Sequence, residues 1–287
     1  ALGTDTAGSV RIPSSYCGVV GFKPTYGRVS IRGIVPLSWS LDHCGPITRT
    51  VEDSALMLQA IAGYDALDPT TVNTPPADYP RAIGLDTRRL RIGAPRRPFF
   101  ENLDPEVAQA AEAAIGVLKG LTASFSEPVW TPPPAIFPVM SAEAYAYHAN
   151  WIARSPQMYQ PLTRERILGA ASQRAQPYVD TLRAIQIARR EIASLFTDID
   201  LLVTPTMPLP AQTLAKADTF DEVGLQNTSP FDSLGLPTIS LPCGFTRAGL
   251  PIGLQITGAS WAEDKVLALA HAYERETSWR LRRPPAV

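Results

Sequence analysis

The sequence predicts an α/β protein in which strands and helices alternate within one layered domain. Short apolar runs typical of buried strands alternate with segments that carry a helical stripe of apolar residues. No internal repeat and no linker rich in glycine and serine divides the chain. These observations favour a single α/β domain over residues 1–287.

The clearest helix follows a stretch, residues 17–46, that reads as loops and short strands such as residues 19–20 and 29–31. Thr50 is placed to cap this helix, with Asp53 at its third position. The apolar face consists of Val51, Ala55, Leu58 and Ala62. We therefore predict a helix from residue 51 that ends at Gly63.

The middle of the chain predicts a strand and then mostly helices. Residues 64–90 show no clear periodicity, whereas residues 90–95 are typical of a short buried strand that enters a loop. Asp104 and Pro105 begin the next helix, which ends near Gly120. Residues 135–196 are predicted to be mainly helical, with prolines as breakpoints.

Strand signals return after Asp198. Residues 201–203 form an apolar run that predicts a strand buried on both faces. Residues 239–241 and 252–256 flank a turn at residues 247–249 and predict two adjacent strands. A final helix is predicted over residues 266–276.

Composition excludes several classes of protein. The 287 residues carry 26 basic and 27 acidic side chains, which gives no global electrostatic case for binding nucleic acid or an anionic membrane. No run approaches the roughly 20 apolar residues of a membrane span. The three cysteines form no C-x-x-C pair, so we expect reduced thiols in a cytoplasmic protein that needs no metal or other cofactor.

Residues 3–13 are the most informative stretch. They read G-T-D-T-A-G-S-V-R-I-P and present Ser9 within a run of small residues. The backbone N–H groups of Thr6, Ala7, Gly8 and Ser9 lie where they can surround a developing negative charge. Ser9 is therefore a candidate nucleophile for acyl transfer, and the four N–H groups are a candidate oxyanion hole.

These residues also carry a family resemblance. Residues 5–13, followed by C-G-V-V-G-F-K-P-T at residues 17–25, resemble the amidase signature family, in which D-T-G-G-S-x-R leads into C-G-x-x-G-x-K-P-T. The likeness continues to residue 63, weakens over residues 70–197, and returns at residues 200–206 and 235–258. It implies the amidase signature fold, with a mixed central β-sheet covered by helices on both faces.

The resemblance also implies a chemistry, the hydrolysis of a small-molecule amide by a Ser-Ser-Lys triad. Ser9 takes the place of the nucleophile. In the family the lysine and the second serine precede the nucleophile, and neither occurs here. We therefore expect an amidase domain that lacks its N-terminal part, and an isolated polypeptide 1–287 that is inactive and poorly stable.

The other lysines are weaker candidates for the base. Lys23 lies in the F-K-P-T segment, so we interpret it as a surface or loop-bracing lysine. Lys119, Lys216 and Lys265 have still less to recommend them. By the resemblance Arg11 braces the serine loop, while Ala7 stands where the family often has glycine and its methyl group disfavours a positive φ.

A Ser-His-Asp hydrolase is the mechanistic rival, with Asp42 and His43 assisting Ser9. Asp42 and His43 are adjacent in the sequence, so the aspartate cannot easily orient the histidine ring as such a triad demands. Ser9 also lacks the G-x-S-x-G motif. His148 and His271 lie on predicted helices without a metal-like partner nearby.

Substrate recognition is expected in two segments, residues 37–43 and residues 226–233. The second offers polar groups, and Trp39 and Phe231 are candidates to line an acyl pocket. Two other functions stay open. One is the glutamine-hydrolysing A subunit of a tRNA-dependent amidotransferase, which would need partner subunits; the other is a non-catalytic binding or scaffold protein. A homodimer also stays open, and partner subunits are expected only for the amidotransferase.

Overall fold

A computed structural model describes residues 1–215 and 222–283. Within these residues the strands are β1 (Leu2–Asp5), β2 (Val20–Lys23), β3 (His43–Thr48), β4 (Arg91–Gly93), β5 (Ser124–Ser126), β6 (Leu201–Pro205), β7 (Thr238–Phe245) and β8 (Pro251–Gly258). The α-helices are α1 (Arg11–Cys17), α2 (Val51–Ile61), α3 (Tyr79–Ala82), α4 (Pro105–Leu121), α5 (Phe137–Arg154), α6 (Pro161–Leu168), α7 (Ala175–Asp198), α8 (Ser229–Ser233) and α9 (Glu263–Glu276).

All eight strands join one mixed sheet in the order β1-β3-β2-β7-β8-β6-β4-β5. Strand β4 runs parallel to β5 and β6, and the remaining neighbours are antiparallel. The mixed sheet that the family resemblance implies is therefore confirmed.

Side-chain alternation along the central strand β8 separates the two faces of the sheet. Ile252, Leu254 and Ile256 join the main hydrophobic core with residues of α2, α4 and α9. Gln255, on the opposite face, bonds to Arg11 of α1. Gly253 allows α1 to approach closely, because a Cβ atom there would lie 2.5 Å from Ser15 Oγ. Helices thus cover both faces.

The second face has its own core beside α1. Leu202 of β6 packs there with Ile192 of α7 and with Phe231 of α8. Helix α5 packs against α6 and α7. This face positions the residues around Ser9.

Several predicted elements are confirmed. Thr50 caps α2 by accepting a hydrogen bond from the Asp53 N–H at 3.1 Å, and the helix ends at Ile61, slightly before Gly63. Asp104 caps α4. Residues 201–203 lie in a fully buried strand, and β7 and β8 form the predicted adjacent pair but are longer.

Other predictions need correction. The run at residues 29–31 forms only a single bridge between Val29 and Ala62. Helix α1 was not predicted.

Among the described residues no helix is both long and apolar enough to cross a membrane, and no group of His, Cys, Asp and Glu side chains in the same ranges could hold a metal ion.

Candidate active site

Ser9 lies in a turn between β1 and α1, which we call the serine turn (residues 6–10). Its side chain is exposed, whereas Thr6, Ala7, Gly8 and Val10 are buried. No described residue forms a hydrogen bond with the Ser9 hydroxyl group. The sequence thus presents one free hydroxyl group on an otherwise buried turn.

Asp5 holds the serine turn from within. Its carboxylate accepts hydrogen bonds from the N–H groups of Gly8 (2.6 Å) and Val10 (3.2 Å). Arg11 binds both oxygens of the same carboxylate, through Nε at 3.0 Å and Nη2 at 3.1 Å. A bidentate ion pair of this kind fixes geometry as well as charge. An aspartate three residues before a glycine is a sequence signal for such a turn that was not used in predicting the site.

The structure differs from the prediction at Gly8. Because the Gly8 N–H donates to Asp5, it is not free to bind an oxyanion. The N–H groups of Thr6, Ala7 and Ser9 have no acceptor among the described residues. The candidate oxyanion hole therefore narrows to these three groups.

The backbone conformation explains why alanine is tolerated at position 7. The positive φ lies at Gly8 (136°), and Ala7 has no positive φ. The methyl group of Ala7 packs in a small apolar cluster with Leu41 and Ile185. The expected conflict at Ala7 does not arise.

Gly8→Ala is expected to destabilise the protein by about 2–5 kcal/mol. A Cβ atom at Gly8 would lie 2.5 Å from Thr228 Oγ1 and 2.6 Å from Ile12 Cδ1, in addition to the backbone strain. Urea unfolding measures the loss. Gly33→Ala is the matched control, since φ is 84° there with no atom within 4 Å of a new Cβ. Equal losses in the two variants would contradict the role of crowding at Gly8.

Arg11 lies at the centre of a buried ionic cluster. It has no exposed surface, and besides Asp5 it forms a very short hydrogen-bonded ion pair with Asp232. Burial and the neighbouring Asp5 raise the pKa of Asp232 well above its ordinary value, against the opposing effect of Arg11. Burial also raises the pKa of Asp5, but the charge and the hydrogen bonds of Arg11 have the larger effect, so the pKa of Asp5 lies below its ordinary value. The bracing role predicted for Arg11 agrees with these contacts.

Lys23 is not a surface lysine. It is fully buried, and its Nζ donates to the backbone oxygen of Leu236 at 2.6 Å. This contact agrees with a loop-bracing role for Lys23, whereas the surface position is wrong. Burial lowers the pKa of Lys23 to about 7; Asp232 opposes this shift and Arg11 reinforces it. No hydrogen bond connects Lys23 to Ser9.

A pH dependence of stability follows from Lys23. Between pH 7 and its ordinary pKa of 10.5, the unfolded state binds more protons than the folded state, so stability rises with pH. Wild-type protein is therefore expected to gain stability relative to Lys23→Met between pH 7 and 9.5. Urea unfolding across this range measures the difference. Lys119→Met, which removes an exposed lysine, is the matched control, and a Lys23→Met curve that runs parallel to the Lys119→Met curve would contradict the prediction.

The Ser-His-Asp alternative is not supported by the geometry. Asp42 receives hydrogen bonds from Thr6 Oγ1 (2.6 Å) and from the N–H groups of Leu37 and Ser38, not from His43. His43 Nδ1 lies 2.6 Å from the Leu41 carbonyl oxygen. Burial, with the nearby charge of Lys23, lowers the pKa of His43 well below its ordinary value. Neither side chain contacts Ser9 through a hydrogen bond.

The remaining candidate bases have other partners or lie outside the described residues. Lys119 Nζ lies 3.8 Å from the Phe125 ring centroid, and Lys265 binds Asp200. Lys216 falls outside the described residues. His148 binds Tyr159 and the Pro36 carbonyl group. His271 Nδ1 lies 2.9 Å from the Ile83 carbonyl oxygen.

Segment 226–233 braces the serine turn through buried polar side chains. Asn227 donates to the carbonyl groups of Phe99 and Pro205, and Asp232 binds Arg11. Thr228 Oγ1 donates to the Ala7 carbonyl group at 2.6 Å. Phe231 stacks on Phe99 in a buried cluster and is therefore a core residue. Most of these partners are far apart in the sequence, which is why local patterns do not reveal them.

Segment 37–43 is held in place by the buried carboxylate of Glu143, which lies on helix α5. It accepts hydrogen bonds from Ser38 Oγ (2.6 Å) and Ser40 Oγ (2.8 Å). Trp39 remains partly exposed and lines a cavity of about 330 Å³ with Tyr178. The segment thus joins the serine turn, through Asp42, to helix α5.

The family model described as Amidase matches residues 1–267. The chain belongs to the amidase family. An amidase of Pseudomonas putida is 41% identical in an alignment 302 residues long. The alignment covers 100% of this chain and 64% of that protein. The resemblance to the amidase signature family is confirmed.

Other proteins are similar over nearly the whole chain. The A subunit of the glutamyl-tRNA(Gln) amidotransferase of Geobacter sp. (strain M21) is 37% identical over 99% of this chain and 65% of its own length. The solved structure of a peptide amidase bound to the competitive inhibitor chymostatin has a TM-score of 0.81 and 31% identity, covering 100% of this chain and 64% of that one. The chain thus spans just under two thirds of the length of these relatives.

Proposed function

We propose that this amidase-family chain carries the nucleophile of an enzyme that hydrolyses carboxylic amides other than peptide bonds. The observation that carries the proposal is the serine turn, in which one exposed hydroxyl group stands beside three free N–H groups on a braced backbone. The identity of 41% with an amidase supports it.

In the proposed reaction Ser9 Oγ attacks the amide carbonyl carbon and forms a tetrahedral intermediate. The N–H groups of Thr6, Ala7 and Ser9 stabilise the negative charge on its oxygen. The C–N bond then breaks, and ammonia or an amine leaves with a proton. Water attacks the acyl-serine ester, releases the carboxylate and restores the Ser9 hydroxyl group.

The reaction needs a base to take the Ser9 proton and return it to the leaving nitrogen. Following the resemblance, the proposal assigns this role to a lysine relayed by a second serine, both supplied from outside residues 1–287. A lysine can serve as base when burial lowers its pKa. Lys23 and His43 are unsuitable, because neither forms a hydrogen bond with Ser9 and both are bonded to backbone carbonyl groups.

Fluorophosphonate labelling of the full-length enzyme, followed by peptide mapping, tests the proposal. We expect one phosphonylated peptide, modified at Ser9. Adducts that map to another residue would overturn the assignment of the nucleophile. The absence of any adduct and of ammonia release from a panel of primary amides would favour the scaffold hypothesis.

The second candidate is the glutamine-hydrolysing component of a tRNA-dependent amidotransferase, which the 37% identity with such a protein favours. This function requires partner subunits, whereas the first requires only a small amide. Ammonia release from glutamine that depends on added partner subunits would identify the amidotransferase component. Autonomous turnover of simple amides would identify the free-standing amidase. The sequence of residues 30–40 resembles free-standing amidases more than the amidotransferase subunit.

A further inference from the structure

The peptide group between Ala7 and Gly8 is held at both ends. The Ala7 carbonyl oxygen accepts a hydrogen bond from Thr228 Oγ1 at 2.6 Å, and the Gly8 N–H donates to Asp5 Oδ1 at 2.6 Å. Because a peptide group is planar, two bonds on opposite sides fix the orientation of the whole plane. The free N–H groups of Ala7 and Ser9 belong to the two neighbouring planes, so their directions depend on this one.

Thr228 is itself firmly anchored. It is fully buried, and its carbonyl oxygen accepts a hydrogen bond from Arg11 Nη1 at 3.0 Å. The preceding residue, Asn227, is bound by Gln255 of the central strand β8. A second acceptor for the Thr228 hydroxyl group, the Leu225 carbonyl oxygen, lies at 3.5 Å and is much the poorer one. The hydroxyl group therefore acts on the serine turn from a rigid support.

We propose that Thr228 is a positioning residue whose hydroxyl group orients the Ala7–Gly8 peptide, so that the flanking N–H groups face the oxygen that becomes negative during amide cleavage. The inference rests on the proposed function of Ser9. Such orientation matters most in the transition state, when the charge has developed. Loss of the hydroxyl group should therefore slow the chemical step and leave initial binding largely unchanged.

The test compares Thr228→Ala with Thr228→Ser in the full-length enzyme. The readouts are the inactivation rate constant kinact and the binding constant KI for a fluorophosphonate probe. We expect Thr228→Ala to lower kinact by about 10- to 100-fold with KI within about threefold of wild type. Thr228→Ser, which retains the donor, should keep kinact within about threefold.

Thr257→Ala is the matched control. Thr257 is another buried threonine, and its hydroxyl group lies 3.0 Å from Thr238 Oγ1, away from the serine turn. It should lose stability as Thr228→Ala does but keep its kinact. Should Thr228→Ala fail to fold, as judged by circular dichroism, Thr228→Val, which removes the hydroxyl group but keeps the size of the side chain, replaces it in every comparison.

Three results would overturn the inference: a kinact for Thr228→Ala within threefold of wild type, a Ser variant as slow as the Ala variant, or a change in KI alone. Failure of the proposed function looks different. In that case Ser9→Ala would still be labelled, whatever Thr228 does. A Ser9→Ala variant that resists labelling together with a fully reactive Thr228→Ala variant would remove only the role of Thr228.

Discussion

Ser9→Ala in the full-length enzyme is expected to lower kcat for amide hydrolysis by about 10⁴-fold or more. Without the Ser9 hydroxyl group the acyl-enzyme of the proposed reaction cannot form. The free energy of unfolding should change by less than about 0.5 kcal/mol, because the Ser9 side chain is exposed and has no hydrogen-bond partner among the described residues. Steady-state rates and urea unfolding measure the two effects.

Ser14→Ala provides the matched control on the adjoining helix. Ser14 is fully buried, and its hydroxyl group donates to the Val10 carbonyl group at 2.7 Å. Its loss should cost about 1 kcal/mol of stability and leave kcat nearly unchanged. A Ser9→Ala variant that keeps more than a tenth of wild-type kcat would contradict our assignment, even if Ser14→Ala behaves as expected.

Elements with local signals could be predicted from the sequence. The capping bonds of Thr50 and Asp104 involve residues only two or three positions away, so the pattern in the sequence contains both partners. Strand β6 was predictable for a similar reason, since five consecutive buried residues leave a continuous apolar run. In these elements local and tertiary preferences agree.

Helix α1 shows where local signals fail. It has only seven residues, and its N-cap, Val10, forms no side-chain capping bond. Its position instead depends on packing against the sheet, where Gly253 leaves room for Ser15. Tertiary packing therefore stabilises a helix that intrinsic preferences would not start.

The environment of the site was beyond prediction for a physical reason. Arg11 and Asp232 are 221 residues apart, as are Ala7 and Thr228, yet both pairs are in direct contact. Lys23 violates the usual exposure of lysine because a carbonyl group of a distant segment, that of Leu236, satisfies its ammonium group. The family resemblance identified the nucleophile candidate and the bracing role of Arg11, but not the roles of Asp5, Asp232 and Thr228.

Arg11→Met is expected to destabilise the protein by about 3–5 kcal/mol at pH 7.5. The substitution leaves the carboxyl groups of Asp5 and Asp232, both fully buried, without the guanidinium that binds them. The loss should be smaller at pH 5, because the unpaired carboxyl groups would have raised pKa values in the folded state and would take up protons. Urea unfolding at the two pH values measures both effects.

Two further variants separate the burial of charge from the loss of a side chain. Arg32→Met removes an exposed partner of Asp65 and should cost less than about 1 kcal/mol. Adding Asp232→Asn to Arg11→Met should recover part of the lost stability, since it removes one uncompensated carboxylate, and the double-mutant cycle gives the coupling between the two residues. If Arg11→Met cost no more than Arg32→Met, the buried cluster would not be what holds the serine turn. A large loss that Asp232→Asn relieves would instead show that the uncompensated buried carboxyl group, and not the loss of the arginine side chain as such, destabilises the Arg11→Met variant.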